Sequence, residues 1–364
     1  MLTTIGAAGT IGVAGCTSDE DDTGGTTGTT DTTDTTDDTT DDVPTLTYSS
    51  IPGSVAGDRF QRFFSSDSMV ERLPNLGEEY DVEFVPADGS ALVVEAMGAG
   101  EAMTGQLAYS SAANAMLQDR IPSGFTIIAP LKLITQGWGA KDTYCALTDS
   151  DVETIQDLEG RELAVNTFGS AVDISARLSL LQEGLEPEED VEMREIGFGA
   201  MMAAVEEERV DVGTFLQDFY LPNRDELRVI FDNSHSIQNH AQIFYTVRND
   251  YLEENEAVIE MMLEDLWAGH QWWHNEASDE EKVDVYLEAA DVPEEAVRLQ
   301  IESPEEWEIY GGHDGMAMEP EWVQDPVDAM ADIGFIDDAP DVGSVIDNSY
   351  LPEEAQESPS LGSF

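Results

Sequence analysis

Residues 154–185 read "TIQDLEGRELAVNTFGSAVDISARLSLLQEGL". A short helix leads to Gly160, and Glu162–Val165 reads as a strand. Asn166–Ser170 is rich in turn formers, and a helix follows over Ala171–Glu183. Val191–Tyr220 repeats the pattern with a strand at Val191–Ile196, a helix around Ala200–Glu207 and a strand at Val212–Phe215. Strand and helix alternating in this way predict a mainly parallel sheet with covering helices.

The same alternation runs towards the N-terminus. Thr45–Ser49, Val82–Val85, Met103–Ala108 and Phe125–Ala129 read as strands. Helices are expected over Gly57–Leu73, from Asp88-Gly89-Ser90 to Met97, and over Ala112–Leu117, with Ser110-Ser111 as a turn. Towards the C-terminus a strand is expected near Gln242–Val247, then helix from Asp250 to Asn275 and mostly helix beyond. Two α/β units with a helical finish describe a chain that crosses to a second lobe and returns.

Several short motifs occur in a fixed order: Asp157-Leu158-Glu159-Gly160, Leu163-Ala164-Val165, Gly169-Ser170, Leu180-Leu181-Gln182-Glu183-Gly184-Leu185, Val210-Asp211-Val212 and Asn255-Glu256-Ala257-Val258, with "IDNSYLPEE" at Ile346–Glu354. Over residues 45–355 this order resembles the substrate-binding proteins of the nitrate, sulfonate, taurine and thiamine-precursor ABC importers. Two positions depart from that pattern. Arg209 stands where the family has a glycine, and Gly100-Glu101-Ala102-Met103 lacks the family's aspartate.

The resemblance implies an α/β fold of the periplasmic-binding-protein-like type II class, a clamshell with two crossing strands near Ile134–Gly139 and Gln242–Val247. It implies one lobe from residues 45–138 with 240–364 and another from 139–239. The solute would sit between them, and closure would make a shape that the permease and its ATPase recognise. A monomer is expected, with no cofactor.

In open α/β sheets the pocket lies outside the carboxyl ends of the strands. Four loops fall there. Ser49–Ser54 contributes Ser49, Pro52 and Gly53, and the next loop contributes Asp88, Gly89 and Ser90. The third contributes Tyr109, Ser110 and Ser111, and the fourth contributes Asn166, Thr167, Phe168, Gly169 and Ser170. Helix starts at these loops offer N–H groups to an acceptor, although the same residue types also serve as plain caps and turns. Tyr48, Tyr109, Phe168, Phe198, Phe215 and Tyr220 flank them as stacking or core aromatics. No basic residue lies in the four loops, and Arg59 and Arg62 follow the first, which favours a neutral or weakly charged organic solute.

The chain of 364 residues carries 77 acidic and 15 basic side chains, a net charge of −62. Thr17–Asp42 holds ten of the acids and no base, so the remainder keeps 67 acids against 15 bases, a net of −52. Lys132, Lys141 and Lys282 are the three lysines. Such self-repulsion is screened in molar salt, and the pattern resembles the salt-adapted proteins of halophilic archaea. It argues against nucleic-acid binding, which needs basic patches.

Leu2–Gly15 is apolar or small and uncharged, the texture of an export leader, and Val13-Ala14-Gly15-Cys16 resembles a lipobox with lipid attachment at Cys16. Residues 1–16 then form the leader. Residues 17–44, rich in Thr and Asp, form a disordered tether at the outer face of the membrane.

Other constellations carry less. His270 and His274 have zinc spacing, but Gln271 stands where a zinc protease has glutamate, so both read as surface or packing residues. His313 reads as a loop residue and Cys145 as a buried, inert thiol. No Gly-x-Ser-x-Gly elbow occurs, and Gly98-Ala99-Gly100 lacks the third glycine of a dinucleotide fingerprint. A solute-binding protein, not an enzyme, is the leading expectation. A surface receptor or adhesin on a threonine-rich stalk is one alternative. An enzyme like thiamine-pyrimidine synthase is another, although this chain lacks that enzyme's cysteine-rich motif.

Overall fold

The computed structural model describes residues 43–51, 59–87, 89–135, 139–237, 239–290, 292–303 and 314–359. Cys16, Pro52, Gly53, Asp88 and His313 lie outside the described residues, as does most of the Thr/Asp tract.

Among the described residues the strands form two five-stranded sheets. The first contains β1 (Thr45–Ser50), β2 (Asp81–Pro86), β3 (Thr104–Ala108), β4 (Phe125–Ile134) and β10 (His240–Arg248), in the order β2-β1-β3-β10-β4. The second contains β5 (Thr143–Leu147), β6 (Glu162–Val165), β7 (Glu192–Glu195), β8 (Val212–Phe215) and β9 (Leu227–Asp232), in the order β7-β6-β8-β5-β9.

The expectation of mainly parallel strands holds in direction, since four of the five strands in each sheet run one way and one strand is reversed. β1 is parallel to β2 and β3, and β6 is parallel to β7 and β8. β10 runs antiparallel to β3 and β4, and β5 runs antiparallel to β8 and β9. The antiparallel partner in each sheet is the strand that follows a crossing. A chain entering from the other lobe arrives at the end of the sheet where the parallel strands finish.

The crossings are tied together by a buried polar network. Lys132 on β4 makes an ion pair with Asp142, just before β5. Asp142 also accepts from Asn233 Nδ2, just after β9, at 3.2 Å and from Gln242 Nε2 on β10. The Asp142 N–H donates to Asn233 Oδ1 at 3.3 Å, so one carboxylate joins all four chain segments.

The helix α5 (Ala171–Gln182) is apolar on two sides because it serves two cores. Ala171, Ile174 and Leu178, spaced by three and four, join the large core of the first sheet. Val172, Ala176 and Leu180 join the core of the second with Tyr144, Leu163 and Phe231.

Two helix boundaries also differ from expectation. The segment read as one helix over Gly57–Leu73 is α1 (Arg59–Ser65) followed by α2 (Asp67–Val70). Ser66 between them is extended at ψ 122, and its hydroxyl donates to the Glu288 carboxylate. Ser110 and Ser111, read as a turn, lie in the first turn of α4 (Tyr109–Leu117). The other helices are α3 (Ser90–Ala99), α6 (Phe198–Glu206), α7 (Gln217–Tyr220), α8 (Asn249–Glu254), α9 (Glu256–Asn275), α10 (Asp279–Ala289), α11 (Glu294–Glu302) and α12 (Pro320–Asp332).

α9 buries Val258, Ile259, Met262, Leu263 and Leu266 along one stripe. Gly269 lets it approach α1, since a Cβ there would sit 2.6 Å from the Phe63 ring. Asp265 on the same helix is buried but paired, accepting from the Tyr80 hydroxyl at 2.8 Å and the Asn75 N–H at 3.0 Å. Among the described residues no helix is long and apolar enough to cross a membrane.

Candidate functional site

The carboxyl ends of β1 and β3 bring several polar residues to one edge of the sheet, with Ser49 and Gln106 on opposite faces. Ser49 is paired with Gly105 across the two strands, so Gln106 stands level with Ser50, the last residue of β1. β3 ends at Ala108 and α4 starts at once with Tyr109 and Ser110. On the other side Ala108 faces Ile243 of β10, which places the first turn of α4 beside the start of that strand. The Tyr109 and His240 rings meet edge to face at 5.8 Å.

This cluster faces the other lobe. The Tyr109 hydroxyl donates to the Ala171 carbonyl at the start of α5, at 3.2 Å. From within the second lobe the Tyr144 hydroxyl donates to the Val172 carbonyl at 2.6 Å. Burial pushes both phenols above their ordinary pKa, so each keeps its proton and remains a donor.

Four side chains here are buried with polar atoms that have no hydrogen-bond partner among the described residues. They are Ser49 Oγ, both amide atoms of Gln106, Ser110 Oγ and His240 Nε2. A buried polar group left unpaired costs about 1–3 kcal/mol, so a cluster of them needs an explanation beyond folding. His240 Nδ1 lies 3.0 Å from the Ile237 carbonyl. Burial holds the imidazole down to about 4. The ring is therefore neutral near pH 7, with Nδ1–H donating and Nε2 left as an acceptor.

The expected loops differ in how they are satisfied. Ser90 Oγ accepts from the Ala108 N–H at 3.2 Å, which ties the start of α3 to the end of β3. Gly89 has φ 110, a conformation that favours glycine. The start of α4 has Ala108 at its N-cap and no capping side chain.

The Asn166–Ser170 loop is closed on itself. Ser170 Oγ donates to Asn166 Oδ1 at 2.8 Å and accepts from the Asp173 N–H at 3.2 Å. Gly169 N–H donates to the Asp173 carboxylate at 2.8 Å, and the Thr167 carbonyl accepts from Ser170 N–H. Phe168 is exposed, with the Arg177 guanidinium 5.5 Å from its ring centre. The N–H groups of Gly169, Ser170 and Asp173 are thus used locally.

The aromatics divide as well. Tyr48 lies within the first core, stacked on Phe60 at 4.4 Å. Phe215 is fully buried in a small core with Met201, Val205 and Leu227. Tyr220 is half-buried at the end of α7, and Phe198 stacks on Phe219 at 6.1 Å.

Three groups escaped the sequence reading. Gln106 and His240 sit in strands, where a polar residue reads as a solvent-facing position. Lys132 left a signal, being one of three lysines and lying inside the apolar run "IIAPLKLI". The third group spans the lobes at α7. The Asp218 carboxylate is hydrogen-bonded to Gln300 and faces Arg62, whose guanidinium lies 3.8 Å from the Tyr286 ring centre and 4.8 Å from that of Trp273. Burial pushes the Asp218 carboxyl up to about 7, against the pull of Arg62, Gln300 and Lys132.

His270 is buried with Nδ1 against the Arg59 guanidinium, and its ring meets that of His274 at 4.5 Å. Among the described residues no group of three or more His, Cys, Asp or Glu side chains is arranged to hold a metal ion. Burial pushes the Cys145 thiol up to about 12, so it is not poised as a nucleophile.

Solved structures share this architecture. The periplasmic aliphatic sulphonate-binding protein SsuA of Escherichia coli is 16% identical, with 88% of this chain and 96% of that chain covered and a TM-score of 0.62. The periplasmic nitrate-binding protein NrtA of Synechocystis PCC 6803 is 14% identical, with 86% and 87% covered and a TM-score of 0.66. The alkanesulfonate-binding protein SsuA of Xanthomonas axonopodis pv. citri, solved with MOPS bound, is 12% identical, with 83% and 97% covered and a TM-score of 0.65. At these identities the likeness is one of fold, and that fold is the two-lobed one of periplasmic binding proteins. No curated protein matches the sequence significantly. The family model described as NMT1/THI5 like matches residues 77–279, more than half of the chain, from β2 through β10 and into α10, and the chain therefore belongs to the NMT1/THI5-like family.

Proposed function

We propose that this chain is an extracytoplasmic solute-binding protein. It captures a small molecule between its lobes and delivers it to the permease and ATPase of an ABC importer, held at the membrane by a lipid on Cys16. The observation that carries this reading is the set of unpartnered buried polar atoms on Ser49, Gln106, Ser110 and His240. It lies at the carboxyl ends of β1 and β3, where α4 meets α5 of the other lobe. Family membership supports the reading, as do neighbours in fold that are described as binding nitrate and sulfonates.

In this reading the lobes are residues 45–138 with 240–364 and residues 139–239, and the protein is a monomer without a cofactor. Ser49, Ser110 and Tyr109 line the solute from the first lobe. Pro52, Gly53 and Asp88 belong to loops at the same strand ends. The buried Cys145 thiol supports a binding protein over an enzyme with a cysteine nucleophile.

The test is to purify the full chain in ~3 M KCl, which screens its charge, then unfold it and identify released small molecules by mass spectrometry. The expected result is one solute in near-stoichiometric amount that raises the melting temperature when added back. No released solute, together with no thermal shift from a broad mixture of nutrients, overturns the proposal.

A further inference from the structure

We propose that Gln106 is a specificity-determining residue of the cleft, and that it reads a solute edge carrying an N–H donor beside an acceptor, as in a carboxamide, a urea or a lactam. The proposal rests on the solute-binding reading above and names the chemistry of the solute.

Gln106 is fully buried, and neither atom of its amide has a partner among the described residues. Its neighbour Gly105 faces α3, where a Cβ would meet Val93 at 2.6 Å. Alternation along β3 therefore sends the Gln106 side chain to the opposite face of the sheet, next to Tyr245 across β10. The position is level with the last residue of β1, at the edge where the loops face the other lobe. A carboxamide offers donors on nitrogen and an acceptor on oxygen in one plane. Its complement is an edge with one donor and one acceptor side by side.

The other unpartnered atoms agree with such a solute. His240 Nε2 is an acceptor, because Nδ1–H is held by the Ile237 carbonyl. Ser110 offers a neutral hydroxyl, whereas Ser49, in register with Gly105, points to the α3 face of the sheet. The nearby cations are engaged within the protein. Lys132 pairs with Asp142, Arg59 meets His270, and Arg62 lies over Tyr286 facing Asp218. A bare oxyanion placed against Gln106 would meet the acceptor Oε1 with no free cation shown to offset it. A solute edge carrying an N–H beside an acceptor satisfies both atoms of the amide.

The experiment uses the full chain in ~3 M KCl and titration calorimetry with two probe sets. One set is urea, acetamide, nicotinamide and uracil, and the other is nitrate, methanesulfonate and taurine. Wild type is compared with Gln106→Met, which keeps the bulk, and Gln106→Glu, which keeps the acceptor and loses the donors. The expected result is binding from the first set only, weakened at least about tenfold in both variants. Ligand-free Gln106→Met should melt no lower than wild type, because an unpaired amide adds nothing to the fold.

A clearly lower ligand-free melting point in Gln106→Met assigns the amide to the fold and overturns the proposal. So does binding of an oxyanion that the Met variant leaves unchanged. Binding from neither set overturns the ligand class. A solute released from the purified protein as described above would then keep the binding-protein reading, whereas no released solute removes both.

Discussion

Asp218 is a residue whose charge state the fold controls directly. Its carboxyl is pushed up to about 7 by burial near Arg62 and Gln300 of the other lobe. In the unfolded chain an aspartate titrates near about 3.9. Between these values the folded form holds the proton and the unfolded form does not. The contribution of this group to stability is therefore fully present below about pH 4 and is lost as pH rises through about 7. Asp218→Asn removes that dependence. The gap in melting temperature between wild type and Asp218→Asn should change steadily, to the disadvantage of wild type, from about pH 4 to about pH 7. A constant gap across the window would show that Asp218 titrates normally. Asp218 was not legible, because the groups that bury it, Arg62 and Gln300, lie far away in the sequence. The position of Tyr109 and Ser110 directly after a strand was legible. Gln106 was not, because β3 is buried on both faces and shows no alternation to set a polar residue against.

The crossings are the elements where sequence and energetics are most closely coupled. Lys132, Asp142, Asn233 and Gln242 come from four different segments, and each is buried. Removing one charge leaves the other without its partner, which costs about 3–5 kcal/mol. Lys132→Met should lower stability by that amount in chemical denaturation at high salt. Adding Asp142→Asn should recover more than half, because the uncompensated charge is gone. Equal losses in the single and double variants would mean that packing and not charge holds the crossing. Strands and helices on either side were legible from their apolar spacing, with Glu162–Val165 and Val212–Phe215 placed to the residue. β9 (Leu227–Asp232), an edge strand of the second sheet, was not among the strands expected. The start of α4 was also missed. Serines favour turns, and here two of them open a helix with their neighbours buried.

At the scale of the molecule, charge outweighs every single contact. A net of −62 on 364 residues opposes the compact state unless counterions screen it. The melting temperature should climb continuously from ~0.1 M to ~1 M KCl, where the screening length falls from about 10 Å to about 3 Å. A melting temperature independent of salt would show that the acids are compensated locally. The arginine pairs on the surface, such as Arg298 with Glu280 and Glu294, are too few to do so.

The two sheets also share a plan, in which the fourth strand in each order is supplied by a crossing. This has a consequence for how the chain is made. A polypeptide growing from its N-terminus holds every strand of the second sheet once residue 232 has emerged. The first sheet still lacks β10, which joins β3 to β4 and is complete only at residue 248. The lobe that is synthesised second is therefore the first that can close. The earlier strands must wait, open at β3 and β4, for a partner about a hundred residues downstream, and non-local pairing of that kind is intrinsically slow.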